Sequence, residues 1–358
     1  MQRENFLLVQ ALRGLAALWV VLFHLEKQQA IAGLTVHLPS WLTYSIFGYG
    51  SAGVAVFFVL SGFVIAHSLA GKDMTVRELG RFALRRSARL DPPYWASMAL
   101  VVATGAALAL AHHEPPQLPG AGQVAAHVLY VQEFLRIPEL QVVYWTLTYE
   151  IQFYLVFAAS ALLDRRWQWG LYALALISAF AGREWGPHGL FVNLWHGFFL
   201  GVLAYRCGYL KEASWPLWVL AAVALLFRHP EAGVFAVPCA ATAGLLFVAA
   251  RAERLTTALS ARPWQWLGAI SYSLYLVHVP TLRLLTGAWQ RVADRGPIAD
   301  AIGGMLLLGA CIAAAALFYL AFERPSHRLA KRLFRLRPGH EVSSGQHYSE
   351  GSVANAKT

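Results

Sequence analysis

The chain has 358 residues, is 58% hydrophobic and 13% charged, and carries a formal net charge of +10. A soluble domain has about 25% charged residues, so this balance excludes a soluble globular enzyme and points to an all-α polytopic membrane protein. On a soluble protein the positive charge would suggest nucleic acid. Here a one-sided excess of Lys and Arg across a membrane accounts for it, and no nucleic-acid partner is expected.

In chain order, ten apolar segments are long enough to be read as spans: 6–25, 44–69, 94–111, 142–163, 167–181, 190–205, 215–227, 233–250, 264–285 and 298–322. The first resembles a signal peptide, but it is too long and lacks a small-residue cleavage site, so it reads as a retained span. Between the second and third spans runs a basic loop from Lys72 to Arg89, ended by Asp91-Pro92-Pro93. A long loop containing His112, His113 and several prolines precedes the fourth span. Residues 1–335 read as one membrane domain. Residues 336–358, polar and rich in Gly, Ser and Asn, read as a disordered cytoplasmic tail.

Ten spans put both termini on one side. With that alternation, Lys27, Arg136, Arg183, Arg228, Arg283, Arg291 and Arg295 fall on one side, Arg13 lies within a span, and all the other Lys and Arg fall on the side of the termini. The positive-inside rule then makes both termini cytoplasmic. Cys207, Cys239 and Cys311 are odd in number, far apart and in apolar segments. They read as small packing residues, with no disulfide framework and no metal-ligand spacing.

Chemistry is indicated where ionisable residues interrupt these spans, because each is costly in lipid. Arg13 and His24 are separated by about three helical turns, so they share one face, roughly 16 Å apart along the axis. With the first helix running outward, Arg13 lies in the cytoplasmic half and His24 near the outer end. The competing reading is a pair of side chains reaching the two interfaces. Glu150, in WTLTYEIQFY, lies about eight residues in from the expected outer boundary, roughly 12 Å deep. Thr146, Glu150 and Tyr154 share its face. His278, in SYSLYLVHVP, falls past the midpoint of an outward-running helix. His24, Glu150 and His278 are therefore expected in the outer half, where a His paired with a carboxylate acts as a general base. A helix-packing carboxylate is the alternative for Glu150. For His278 the alternative is a core residue satisfied by Tyr272 or Tyr275.

Arg85, Arg86 and Arg89 form the clearest anion site, since guanidinium forks suit phosphate oxygens. They also suit orientation control or lipid headgroups. In FFVLSGF, Ser61 supplies a hydroxyl and Gly62 permits close approach of a helix or a ligand. No adjacent base makes Ser61 a nucleophile.

These motifs, in this order, resemble the membrane acyltransferase-3 family of O-antigen and exopolysaccharide acetylases and antibiotic acylases. The resemblance rests on Arg13 and His24 with ten residues between them, FFVLSGF at 57–63, the arginines at 85, 86 and 89 before Pro92, WTLTYEIQFY at 145–154, GAISYSLYLVHVP at 268–280 and FERP at 322–325. It implies transfer of an acyl group, commonly acetyl, from acyl-CoA as co-substrate to a hydroxyl of a glycan or lipid-linked acceptor, with no bound cofactor. It implies His24 and Glu150 as catalytic residues, with Glu150 orienting His24 or relaying protons. Arg13, Arg85, Arg86 and Arg89 become acyl-CoA ligands, with Ser61, Trp145, Tyr154, Tyr272 and His278 in support. The implied location is the bacterial cytoplasmic (inner) membrane, amid membrane lipids. Some relatives carry a fused extracytoplasmic hydrolase domain; none is present in this sequence, which leaves open a separate extracytoplasmic acyl-transfer partner. A transporter or flippase for a glycan or lipid-linked intermediate is the alternative from another class, and a structural membrane component is a third.

Overall fold

A computed structural model describes residues 5–72, 74–163, 167–181, 187–227, 233–291 and 296–333. Every regular element among them is helical. In order they are α1 (Leu7–Lys27), α2 (Ala32–Thr35), α3 (Ser40–Thr43), α4 (Ala52–Leu69), α5 (Val76–Ala111), α6 (Ala121–Val128), α7 (Trp145–Ser160), α8 (Trp167–Ala181), α9 (Trp195–Leu203), α10 (Trp215–Leu226), α11 (Gly233–Arg251), α12 (Arg262–Ala269), α13 (Ser271–Trp289), α14 (Pro297–Phe318) and α15 (Arg324–Leu333). Wide π turns cover Tyr44–Gly48, Ala204–Tyr209 and Tyr319–Glu323. The expected tail at 336–358, and Arg165, Arg166, Arg183, Arg228 and Arg295 of the charge pattern, lie outside the described residues.

Among the described residues, four helical stretches are long and apolar enough to cross a membrane: α1, α4, α5 and the α14–α15 run. Each of the ten expected spans contains helix, but several are shorter or broken. The second starts at Ala52 after a π turn, the sixth is helical from Trp195 after a 3-10 turn, and the ninth breaks at Ile270 into α12 and α13. α4 is the centre of the bundle. Its crossing window is 67% buried by protein, against 22% for α5 and for the α14–α15 run. A helix apolar on all sides is expected at such a position.

Glycine sets the tightest crossing in that centre. A Cβ on Gly62 would stand 1.9 Å from the Phe198 carbonyl oxygen, and one on Gly201 would stand 1.9 Å from the Val59 carbonyl oxygen. α4 and α9 therefore touch backbone to backbone, so Gly62 serves a helix crossing rather than a ligand passage. Phe58 stacks on Phe198 and Phe198 on Phe153, at 4.2 Å each, which joins α7 to the same crossing.

Two expectations are corrected. First, the basic loop is helix: α5 runs from Val76 through Pro92 and Pro93 to Ala111. Each proline removes a backbone donor. Side chains from distant elements brace the region. The Tyr272 hydroxyl donates to the Leu90 carbonyl at 3.0 Å, and Asp91 accepts from Ser87 and from Tyr130, the latter at 3.0 Å. Second, the long loop before the fourth span holds a helix, α6, and the chain from there to Tyr144 packs inward. Tyr130 stacks on Tyr94 at 4.9 Å, Tyr144 bonds Ser97 at 2.8 Å, and Gln141 donates to the Leu276 carbonyl at 3.1 Å. The segment is thus folded inward against α5 and α13, and α7 starts inside the protein.

Candidate active site

α1 delivers Arg13 and His24 on one face, as their spacing requires. His24 meets α13. Its Nδ1 lies 2.9 Å from the Val20 carbonyl oxygen and 3.3 Å from Nε2 of His278. Nδ1 of His278 lies 3.0 Å from the Leu274 carbonyl oxygen. A carbonyl only accepts, so this network places the hydrogen of each neutral ring on Nδ1. His278 then offers a lone pair at Nε2 to the Nδ1–H of His24. The Nε2 of His24 keeps its own lone pair, the form a proton acceptor needs. His278 is fully buried whereas His24 is half-buried, so the pair has an inner member and an outer one.

Glu150 does not share that pair. Its Oε1 accepts from Ser61 at 2.7 Å and from Tyr154, one turn further along α7. Tyr154 also receives Arg86, whose guanidinium carbon sits 4.2 Å from the ring centroid. Glu150 and Ser61 line a small cavity of about 40 Å³ together with Arg13, Tyr272, Thr146 and Tyr275, and with Val54, Phe57, Phe58 and Leu147 as its apolar wall. The cavity joins the Arg13 level of α1 to the turn of α13 just before His278. Trp145, by contrast, is not part of the cavity wall and packs edge-on against Tyr149.

Cations gather at the end of the bundle where α5 and α15 pack together. Arg85, Arg86 and Arg89 lie along α5. Arg89 Nε donates to His327 Nε2 at 2.9 Å, so that nitrogen of His327 carries a lone pair. Buried Glu323 accepts from Ser273 N at 3.1 Å and from Ser273 Oγ at 2.6 Å. Ser273, Glu323 and His327 were absent from the sequence-derived site. The available signal was FERP itself: an acidic residue entering a basic helix, with His327 one turn later.

The arrangement is therefore a cationic end, a small, mainly apolar cavity with a carboxylate and four hydroxyls on its wall, and a histidine pair beyond it. Among the described residues no group of three or more His, Cys, Asp or Glu is placed to hold a metal ion.

Comparison with known proteins gives the identity of this arrangement. An acyltransferase-domain family model matches residues 8–322. Acyltransferase MdmB of Streptomyces mycarofaciens is 28% identical over 90% of this chain and 91% of its own length. Exopolysaccharide production protein ExoZ of Rhizobium meliloti (strain 1021) is 33% identical over 38% of this chain and 43% of its own length. No solved structure matches the chain significantly. The family match gives the transporter alternative no support. The chain belongs to the acyltransferase-3 family and is an acyltransferase enzyme.

Proposed function

We propose that the protein transfers an acyl group, commonly acetyl, from acyl-CoA to a hydroxyl of a carbohydrate or related lipid-linked acceptor. One observation carries this reading: the order along the bundle of arginines, cavity and histidine pair. Acyl-CoA is a phosphate-rich anion with a long, thin arm ending in the thioester. Arg85, Arg86 and Arg89 suit its phosphates, with Arg13 further in. The roughly 16 Å from Arg13 to His24 is comparable to an extended pantetheine arm. The basic end then faces the cytoplasm of a bacterial cell and both termini are cytoplasmic, with the chain multi-pass in the cytoplasmic (inner) membrane.

His24 acts as general base through Nε2. The acceptor hydroxyl gives its proton to Nε2 while its oxygen bonds to the thioester carbon. The C–S bond then breaks and the thiolate recovers a proton from the imidazolium. His278 takes the orienting task, because its lone pair fixes the Nδ1–H tautomer of His24. Glu150 bonds Ser61 and Tyr154 and acts as a proton relay and as counter-charge to Arg13 and Arg86. Direct attack needs no acyl-imidazole on His24. The ExoZ likeness supports a carbohydrate acceptor. The test is labelled acetyl-CoA supplied to membranes bearing the protein, with mass spectrometry of the surface glycans. A gain of one acyl mass on a hydroxyl is expected. Glycans unchanged in mass, with acetyl-CoA unconsumed, contradict the proposal.

A further inference from the structure

The cavity wall carries four hydroxyls, and their commitments differ. Ser61 donates to the Glu150 carboxylate at 2.7 Å, a charge-assisted bond that is hard to displace. Tyr272 donates to the Leu90 carbonyl beside the prolines inside α5, at 3.0 Å. Thr146 and Tyr275 form a different arrangement. Thr146 Oγ1 lies 3.0 Å from the Val143 carbonyl oxygen, Tyr275 OH lies 3.1 Å from the same oxygen, and the two hydroxyls are 2.8 Å apart. Three contacts are served by only two protons. Val143 stays satisfied by either hydroxyl alone, so the other proton is free to turn toward an incoming oxygen with little loss.

The position of this surplus proton matters. Tyr275 precedes His278 by three residues and so shares its face of α13; the two rings are 6.0 Å apart. Tyr275 and Thr146 are both buried. The Tyr275 ring is held edge-on by Phe57 at 5.8 Å, and Val54, Phe58 and Leu147 complete apolar surroundings. A hydrogen-bond donor fixed in such a site is worth far more than one in water.

We propose that the Tyr275 hydroxyl, backed by Thr146, is the oxyanion donor of the acyl transfer. This rests on the acyl-CoA reading given above. As the acceptor oxygen bonds to the thioester carbon, the carbonyl electron pair moves onto oxygen, and Tyr275 donates its hydrogen bond to that oxygen while Thr146 holds Val143. When the oxyanion collapses, the C–S bond breaks, the thiolate takes the proton from His24, and Tyr275 returns to Val143 and Thr146. Tyr275 keeps its proton throughout.

The experiment uses the full chain in nanodiscs. It measures kcat, KM for acetyl-CoA, and the affinities of CoA and of an acetyl-CoA analogue bearing a trifluoromethyl ketone in place of the thioester, whose hydrate mimics the oxyanion. Tyr275→Phe is expected to lower kcat by about 100-fold, to weaken the ketone analogue by a similar factor and to leave CoA affinity unchanged. Thr146→Val, which leaves the Tyr275 hydroxyl in place, is expected to lower kcat less. Unchanged kcat in Tyr275→Phe overturns the proposal, as does equal weakening of CoA and ketone, which marks a packing role. Turnover by the unaltered chain in that case leaves the acyl-CoA reading standing. If the unaltered chain turns over no acyl-CoA, that reading falls and takes this proposal with it.

Discussion

Nε2 of His278 stands 3.3 Å from Nδ1 of His24, on helices joined by no short stretch of chain. Each ring is tied through Nδ1 to the carbonyl four residues earlier, so neither is free to choose its tautomer. The pair is polarised in one direction, with its open lone pair at Nε2 of His24.

This relationship predicts a graded response at the pair. Removing a general base costs about 10²–10⁴-fold in rate, so His24→Ala should lose nearly all turnover. His278→Ala removes only the orienting partner and should cost less, about 10-fold to 100-fold by the weight of comparable outer-shell partners. KM for acyl-CoA should be unchanged in both. Steady-state kinetics on the purified variants decide the matter. A His278→Ala enzyme of full activity would show that the Val20 carbonyl orients His24 unaided.

The Glu150 cluster predicts coupling. Ser61 and Tyr154 both donate to one carboxylate oxygen. Loss of the Glu150 carboxylate deprives both buried hydroxyls of their charged acceptor, at a cost of about 1–3 kcal/mol. Ser61→Ala, Glu150→Leu and the double variant should therefore be non-additive in thermal stability. Additive effects would mean that the bond contributes nothing.

Two glycines should tolerate no side chain. Gly62→Ala and Gly201→Ala each drive a methyl into a backbone carbonyl at 1.9 Å. No rotamer relieves a backbone clash, so α4 and α9 must separate, at a cost of about 3 kcal/mol or more, the upper part of the overpacking range. Yield of folded protein and melting temperature in detergent measure this. Near-normal melting of either variant would contradict the crossing.

Much of the site was legible from the spacing of residues. The shared face of Arg13 and His24 follows from helical geometry alone, and so does the face carrying Thr146, Glu150 and Tyr154. The partner of His24 was not legible for a physical reason. Depth along a sequence starts at a membrane boundary, but α7 starts inside the protein, where Tyr144 bonds Ser97. Glu150 consequently belongs to the cavity that also holds Arg13, and His278 alone reaches His24. The inward fold of residues 121–144 has no periodicity to betray it. It is held by long-range side-chain bonds, such as His127 with Glu139 at 3.1 Å and Gln132 with Thr148 at 2.9 Å. Similarly, α5 reads as broken at Pro92 because its braces, Tyr272 and Tyr130, come from distant parts of the chain.

The arginines predict a binding effect separable from chemistry. Arg86→Gln and Arg89→Gln should raise KM for acyl-CoA and steepen neither kcat nor its dependence on acceptor. The effect should shrink as salt rises, since exposed charge pairs are screened beyond about 10 Å at 0.1 M. Titration of each variant with acetyl-CoA and with dephospho-CoA, which lacks one phosphate, checks it. Equal KM values for the variants and the unaltered chain would remove these arginines from the donor site.

The central claim is that acyl transfer runs through His24. The most direct measurement is transfer of radiolabelled acetyl from acetyl-CoA to a hydroxyl acceptor by the purified chain in proteoliposomes, beside His24→Ala. The account predicts label on the acceptor with the unaltered chain and background label with His24→Ala, although both bind CoA equally. Label transferred at the full rate by His24→Ala would contradict it.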